Sequence, residues 1–166
     1  MIIIAFGANL AHPLHGEPRN IFSVAFKRLQ ALGLPLQKVS PYFRSAAWPP
    51  SDQPWYVNGV ALLDAPAEWD AGQVLSCLHQ VEAEMGRVRA ARNAARVLDL
   101  DLLDFNGLVR RQPGDWPVLP HPRLQDRAFV LLPLRELLPD WRHPVSGEDL
   151  ATLIAALPAD QTAEPL

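Results

Sequence analysis

The sequence predicts an α+β fold, a sheet of antiparallel strands with helices packed on it, and three observations predict it. Apolar residues alternate with period two over 98–102 and run unbroken over 2–6, both at strand length. They recur every 3.6 residues or so over 22–29 and 74–85, which is helical spacing. These segments follow one another as strand, helix, strand, strand, helix, strand. With 166 residues, 49% of them hydrophobic and 20% charged, the chain can bury a core without staples, and one domain over 1–166 is expected.

Ile2 to Phe6 is a short continuous apolar run, as in a central strand covered on both faces, and Gly7-Ala8-Asn9-Leu10 reads as the turn after it. Pro18 stands where a first helical turn tolerates proline; Phe22, Phe26 and Leu29 continue the helix until Gly33 and Pro35 stop it. Leu36 to Ser45 reads as a second strand and Tyr56 to Leu63 as a third. Between them AAWPPSDQPW packs three prolines and two tryptophans into a loop that should fold onto the body or close over a ligand. Asp70 with Gln73 forms a capping box for a helix carrying Val74, Leu75, Leu78, Val81 and Met85, ended by Gly86. After the strand at 98–102, Asn106-Gly107 signals a two-residue hairpin returning through Val109. Pro117 to Pro122 is a rigid turn holding His121. Asp126 is expected to cap a short helix carrying Phe129, and Ser146 with Asp149 a last one, with a frayed tail beyond Pro158. The order is that of a ferredoxin-like βαββαβ antiparallel sheet, with an added hairpin strand and C-terminal helices.

The chemistry concentrates in GRVRAARNAARVLDLDLLDF, residues 86–105. Alternation puts Leu98, Leu100 and Leu102 on a buried face and Asp99 and Asp101 together on the other. Stems two strand residues apart stand roughly 6–7 Å apart, where two unit charges at an effective dielectric near 20 repel by about 2–3 kcal/mol. A hard divalent cation, Mg²⁺ or Mn²⁺, suits such a pair, which leaves coordination positions for water and phosphates. Arg87, Arg89, Arg92 and Arg96 just upstream would supply phosphate donors. The competing reading is an amphipathic edge strand with a solvated acidic face after a basic loop.

A net charge of −3 argues against a general polyanion binder. The single Cys77 falls among apolar helix positions and reads as a buried thiol suited to a reducing cytoplasm. No apolar run approaches the roughly 20 residues that span a bilayer, and MIIIAFGANL lacks the flanks of a signal peptide. Seventeen prolines, clustered between elements, imply well-defined loops.

Five motifs in order give the chain a resemblance to a known family, and it covers nearly the whole sequence. They are Gly7-Ala8-Asn9-Leu10; Asp52-Gln53-Pro54-Trp55-Tyr56-Val57-Asn58; Glu82 with Gly86-Arg87 and Arg89; Arg96-Val97-Leu98-Asp99-Leu100-Asp101; and Pro120-His121-Pro122-Arg123 with Arg127 and Phe129. Together they resemble the 6-hydroxymethyl-7,8-dihydropterin pyrophosphokinases, ATP-dependent enzymes of folate synthesis. The resemblance implies transfer of the terminal pyrophosphoryl group of ATP to the pterin hydroxymethyl oxygen. It implies catalytic roles for Arg87, Arg96, Asp99 and Asp101, with the two aspartates holding two Mg²⁺ ions. It places Glu82, Arg87, Arg89, Arg96, His121 and Arg127 toward ATP, and Ser45, Trp48, Tyr56, Asn58 and Phe129 toward the pterin, Tyr56 and Phe129 as a stacking pair and Asn58 on the heterocycle edge. Without the resemblance those two aromatics would read as core.

The chain departs from the family in carrying Asn93-Ala94-Ala95 where many members have Trp-Gly-Pro, Ala8 for a common serine, and Trp48 for an aliphatic residue. The chemistry is expected to persist and loop closure to differ. A monomer acting on ATP and 6-hydroxymethyl-7,8-dihydropterin, with neither nucleic acid nor membrane as partner, is expected. The alternatives are another Mg-dependent phosphoryl or nucleotidyl transferase, and a ferredoxin-like RNA-binding module stacking bases on strand aromatics.

Overall fold

Seven consecutive buried residues at the start of the chain decide the architecture, because a strand buried on both faces must lie inside a sheet. The computed structural model describes residues 1–86 and 95–166. Along it run β1 (Ile2–Ala8), α1 (Pro18–Ala31), β2 (Leu36–Val39), β3 (Phe43–Ser45), β4 (Tyr56–Leu63), α2 (Ala71–Glu84), β5 (Asp99–Phe105), α3 (Ala128–Leu137), α4 (Leu150–Ala155) and β6 (Ala163–Pro165). Every strand pairing is antiparallel, the order is β5-β1-β4-β3-β6, and β2 also pairs with β4. The fold is therefore α+β, a six-stranded antiparallel sheet with four α-helices among the described residues.

Alternate residues of β1 sort into two cores. Ile2, Ile4, Phe6 and Ala8 pack with residues of α1 and α2, including Phe22, Leu29, Val74 and Leu78. Ile3 and Ala5 face α3 and α4 with Val130, Leu131, Leu134 and Leu153. The second layer covers only part of its sheet face, and the rest is left for polar groups.

The two glycines of β1 and β4 are sites of close approach. The Phe6 ring lies directly over Gly59, where an added Cβ would come within 2.3 Å of Phe6 Cζ. Gly59→Ala is expected to destabilise the fold by about 1–3 kcal/mol, the usual cost of overpacking; an unchanged urea midpoint would contradict this packing. A Cβ on Gly7 would likewise meet Asn58 Oδ1 at 2.6 Å.

β5 keeps period two only as far as Leu102. The register against β1 shifts between Ile3 and Ile4, so that Ile4 faces Leu102 while Ile3 faces Asp104. This bulge at Leu103 lets Leu103 and Asp104 both enter the α3 side, where Trp141 Nε1 donates to Asp104 Oδ2 at 3.0 Å.

Several sequence expectations are corrected. Gly7 and Ala8 belong to β1 rather than to the turn after it. The stretch 36–45 divides into β2 and β3, because Pro41 has no N–H and Ser40 Oγ takes the Val60 N–H at 3.0 Å. Asn106 and Gly107 do form a turn with positive φ, 53° and 70°, but no hairpin strand follows among the described residues. Asn106 N–H donates to the Met1 carbonyl, and beyond it Pro113 and Gly114 turn the chain back on itself, leaving one isolated bridge, Arg110 with Leu119. Arg127, not Asp126, is the N-cap position of α3. Asp149 alone caps α4, accepting from Thr152 N–H at 2.9 Å, and that bond holds its carboxyl below the usual range. The tail does not fray: it forms β6 on β3. Among the described residues no helix is long and apolar enough to cross a membrane.

Candidate active site

Where α3 and α4 leave the sheet uncovered, the face of β1, β4 and β5 opens into a cleft of about 340 Å³. Register assigns its floor. Asp99 stands opposite Gly7 on one side of β1 and Asn58 opposite Gly7 on the other, with Asp101 beside Ala5. A glycine in the middle lets the Asn58 carboxamide lie across the strand.

Of the residues singled out from sequence, Ser45, Trp48, Tyr56, Asn58, Arg96, Asp99, Asp101, Arg127 and Phe129 all line this cleft. On the acidic side, Arg96 Nη1 donates to Asp99 Oδ2 at 2.7 Å and Arg127 Nη1 to Asp101 Oδ2 at 3.1 Å. Each carboxylate thus has a guanidinium, which answers the repulsion expected from two carboxylates on one strand face. Burial opposes the charge on Arg96, but the Asp99 carboxylate outweighs it and holds the guanidinium above its ordinary pKa. Arg127 also lies over the Phe129 ring, 5.6 Å from its centroid.

On the other side, Asn58 Nδ2 bonds Ser45 Oγ at 2.7 Å, leaving Oδ1 over Gly7. Tyr56 OH donates to Gln53 Oε1 at 3.0 Å. Burial pushes the phenol up and the nearby Arg96 pulls it down less, so Tyr56 is neutral at physiological pH.

Asn9, part of the first motif but given no role from sequence, is the joint between these parts. Its backbone N–H donates to the Arg96 carbonyl at 3.1 Å and its Oδ1 accepts the Arg96 N–H at 2.9 Å, while Nδ2 donates to the Pro54 carbonyl at 3.0 Å and Gln53 Oε1 at 3.2 Å. Gln53 and Arg123 also line the cleft without a role assigned from sequence; their presence in the family-like motifs is the only sequence signal for them.

Two residues expected at the site stand outside the cleft. Glu82 is buried on α2, behind the sheet, and accepts the Leu100 N–H at 2.6 Å. His121 donates its backbone N–H to Leu103 O at 2.8 Å, and its Nδ1 accepts the Arg123 N–H at 3.2 Å, which assigns the neutral ring's proton to Nε2. Arg87, Arg89, Arg92 and the Asn93-Ala94 departure lie outside the described residues.

Burial lowers the pKa of His121, and of His143 beside Trp141, below the ordinary value. A histidine held neutral by the fold stabilises it fully above the unfolded pKa of about 6.5 and progressively less as pH falls from there through the folded pKa. The melting temperature is therefore expected to decline as pH drops below about 6.5; a midpoint that stays flat down to about pH 5 would contradict this.

Asp99 and Asp101 offer oxygen donors alone, and among the described residues no group of three or more His, Cys, Asp or Glu side chains could hold a metal. Two carboxylates with room for further oxygen ligands fit Mg²⁺ bound together with substrate phosphates, and do not fit a closed structural zinc.

Comparison with known proteins agrees with this geometry. Residues 3–139 match the model of a family described as 7,8-dihydro-6-hydroxymethylpterin-pyrophosphokinase. The chain is 43% identical over 162 residues to a 2-amino-4-hydroxy-6-hydroxymethyldihydropteridine pyrophosphokinase of Pseudomonas aeruginosa, covering 95% of this chain and 91% of that protein. It is 32% identical over 152 residues to a protein of the same name from Synechocystis, covering 92% and 73%. It is also 32% identical to the folic acid synthesis protein FOL1 of Dictyostelium discoideum, covering 87% of this chain and 20% of that longer protein. A cleft with paired aspartates, arginines and an amide-bearing aromatic wall, and a match over most of the length, have one explanation: the chain belongs to the 7,8-dihydro-6-hydroxymethylpterin-pyrophosphokinase family.

Proposed function

We propose that the chain transfers pyrophosphate from ATP to the hydroxymethyl oxygen of 6-hydroxymethyl-7,8-dihydropterin, releasing AMP and the pterin diphosphate in folate synthesis. The observation that carries this reading is that one cleft joins an acidic, arginine-held wall to an aromatic and amide wall. The first suits a polyphosphate with its metal, the second a flat heterocycle with hydrogen-bonding edges.

Asp99 and Asp101 would hold Mg²⁺, two ions with ATP bound, which would supply charge neutralisation on the phosphates and polarisation of the attacking hydroxyl. Phosphoryl transfer leaves little covalent work to the protein, so its own residues act by position and charge. Arg96, fixed to Asp99, presents a cation to the transferring group, and Arg127 does so from the Asp101 side. Arg87 and Arg89 are assigned to the phosphates with them. His121, neutral with its proton on Nε2, is a donor toward ATP rather than a cation. Glu82 serves from behind, holding β5 in place through Leu100.

Asn58 Oδ1, aimed over Gly7, accepts from the amino edge of the pterin, and Ser45 fixes that orientation. Tyr56, Phe129 and Trp48 supply apolar faces. The order β5-β1-β4-β3, with helices joining β1 to β2 and β4 to β5, supports a ferredoxin-like βαββαβ reading of the sheet. Cores on both faces of one sheet support a single domain over 1–166. We infer that it works as a monomer in the cytoplasm on small molecules rather than on nucleic acid or membranes.

Product analysis tests the reaction. With ATP, Mg²⁺ and the pterin, AMP and pterin diphosphate should form one for one. ADP in place of AMP would overturn pyrophosphoryl transfer.

A further inference from the structure

Helix α3 carries Phe129 and has Arg127 at its N-cap position, yet nothing in its own sequence caps it. The Arg127 side chain is committed to Asp101, and the helix has no side-chain cap from its N-cap position. Its first N–H groups therefore need a partner from elsewhere. Gln161 provides one from beyond α4, its Oε1 accepting the Ala128 N–H at 2.8 Å and its Nε2 donating to the Asp126 carbonyl at 2.6 Å. One carboxamide thus brackets the backbone on both sides of Arg127, one residue before Phe129.

The chain then runs directly into β6. Ala163 pairs with Ser45, Glu164 with Arg44 and Pro165 with Phe43, and Leu166 N–H donates to the Tyr42 carbonyl at 2.9 Å. Pro165 has no N–H to give, and the bond on its far side comes from Leu166. Arg44 Nε also donates to Glu164 Oε1 at 2.6 Å. Segment 161–166 therefore grips the start of α3, with Arg127 and Phe129, and also β3, with Ser45. It holds two parts of the cleft lining, the start of α3 and β3, while lying past residue 139, where the family match ends.

We infer that segment 161–166 is a strap that sets the pterin wall of the cleft, with Gln161 as its positioning residue. This rests on the proposed assignment of that wall to the pterin. Gln161 touches no substrate: it fixes the backbone from which Arg127 reaches Asp101 and on which Phe129 is mounted. Strap and family-matched body together, rather than the body alone, define the spacing between Ser45 and Phe129.

The test compares the parent chain with Gln161→Ala and Gln161→Glu by calorimetric binding of 6-hydroxymethyl-7,8-dihydropterin, steady-state kinetics and thermal melting. Gln161→Ala should raise the pterin Kd and KM about tenfold, the size of a lost helix cap, with kcat falling by a smaller factor because Arg127 stands on the same backbone. Gln161→Glu keeps the acceptor for Ala128 and loses the donor to Asp126, so its Kd should rise only about threefold. A lowered melting temperature with parental Kd and KM in Gln161→Ala would make the strap merely structural and overturn the proposal. Should Gln161→Ala not fold at the assay temperature, a parental Kd in Gln161→Glu would do the same. Failure of the parent chain to bind the pterin at all would instead overturn the proposed function and the strap with it.

Discussion

Replacing Asp99 or Asp101 with alanine is expected to lower turnover on the order of 10³-fold, while the melting temperature stays within a few degrees of the parent's. Both halves follow from the arrangement on β5. The two carboxylates share one strand face and are the acidic groups that line the cleft, so under the proposed function neither could substitute for the other in holding a metal against the phosphates. Each is also about a quarter to a third exposed, at 25% and 31%, and paired with an arginine that is itself partly exposed. Losing one such pair costs at most about 1 kcal/mol, and it also removes what repulsion is left between the two arginine-paired carboxylates. Stability and activity therefore separate. Near-parental kcat in either variant would remove the metal assignment, and a collapsed fold would show that the aspartates serve structure instead.

Arg96→Ala is expected to cut kcat by about 10²-fold to 10³-fold and to leave the pterin Kd within about threefold. The backbone makes this a clean substitution. Arg96 is held by two hydrogen bonds to Asn9, one through its own N–H and one through its carbonyl, and neither uses its side chain. Removing the guanidinium takes away the cation next to Asp99 without releasing the turn that leads into β5. Single-turnover kinetics with pterin binding measured separately will distinguish the two effects. A variant that binds pterin poorly but reacts at the parental rate would move Arg96 from the phosphates to the heterocycle.

Much of the fold was legible because the signals were local. The unbroken run at Ile2, the helical spacing of Val74, Leu78 and Val81, and the Asp70–Gln73 capping box all depend on residues within one or two turns, and each appears as expected. The failures share a different cause. A bulge at Leu103 is one inserted residue and leaves no mark on composition. The Asn106-Gly107 turn is real, but what the chain does next depends on Met1, 105 residues away. Asp126 looked like a cap because it precedes an apolar stretch; the cap comes from Gln161, which no window around Asp126 contains.

The site follows the same division. Asp99 and Asp101 were readable as a pair from alternation alone. Their partners could not be placed that way, since Arg127 reaches Asp101 across 26 residues and Asn9 reaches Arg96 across 87. Tyr56 and Phe129 entered as site residues only through the resemblance, because an aromatic in a strand or on a helix ordinarily packs in the core. In the fold both line the cleft, half-buried, at the boundary where the α3 layer stops covering the sheet.

The most direct test of the central claim follows the β-phosphorus of ATP. The protein is incubated with Mg²⁺, 6-hydroxymethyl-7,8-dihydropterin and ATP labelled at that atom, and the products are separated. Pyrophosphoryl transfer at the Asp99–Asp101 site predicts that the label leaves with the pterin and that unlabelled AMP remains, with both signals lost in Asp101→Ala. Label retained in ADP would mean that the same cleft transfers only the γ-phosphoryl group, which contradicts pyrophosphoryl transfer.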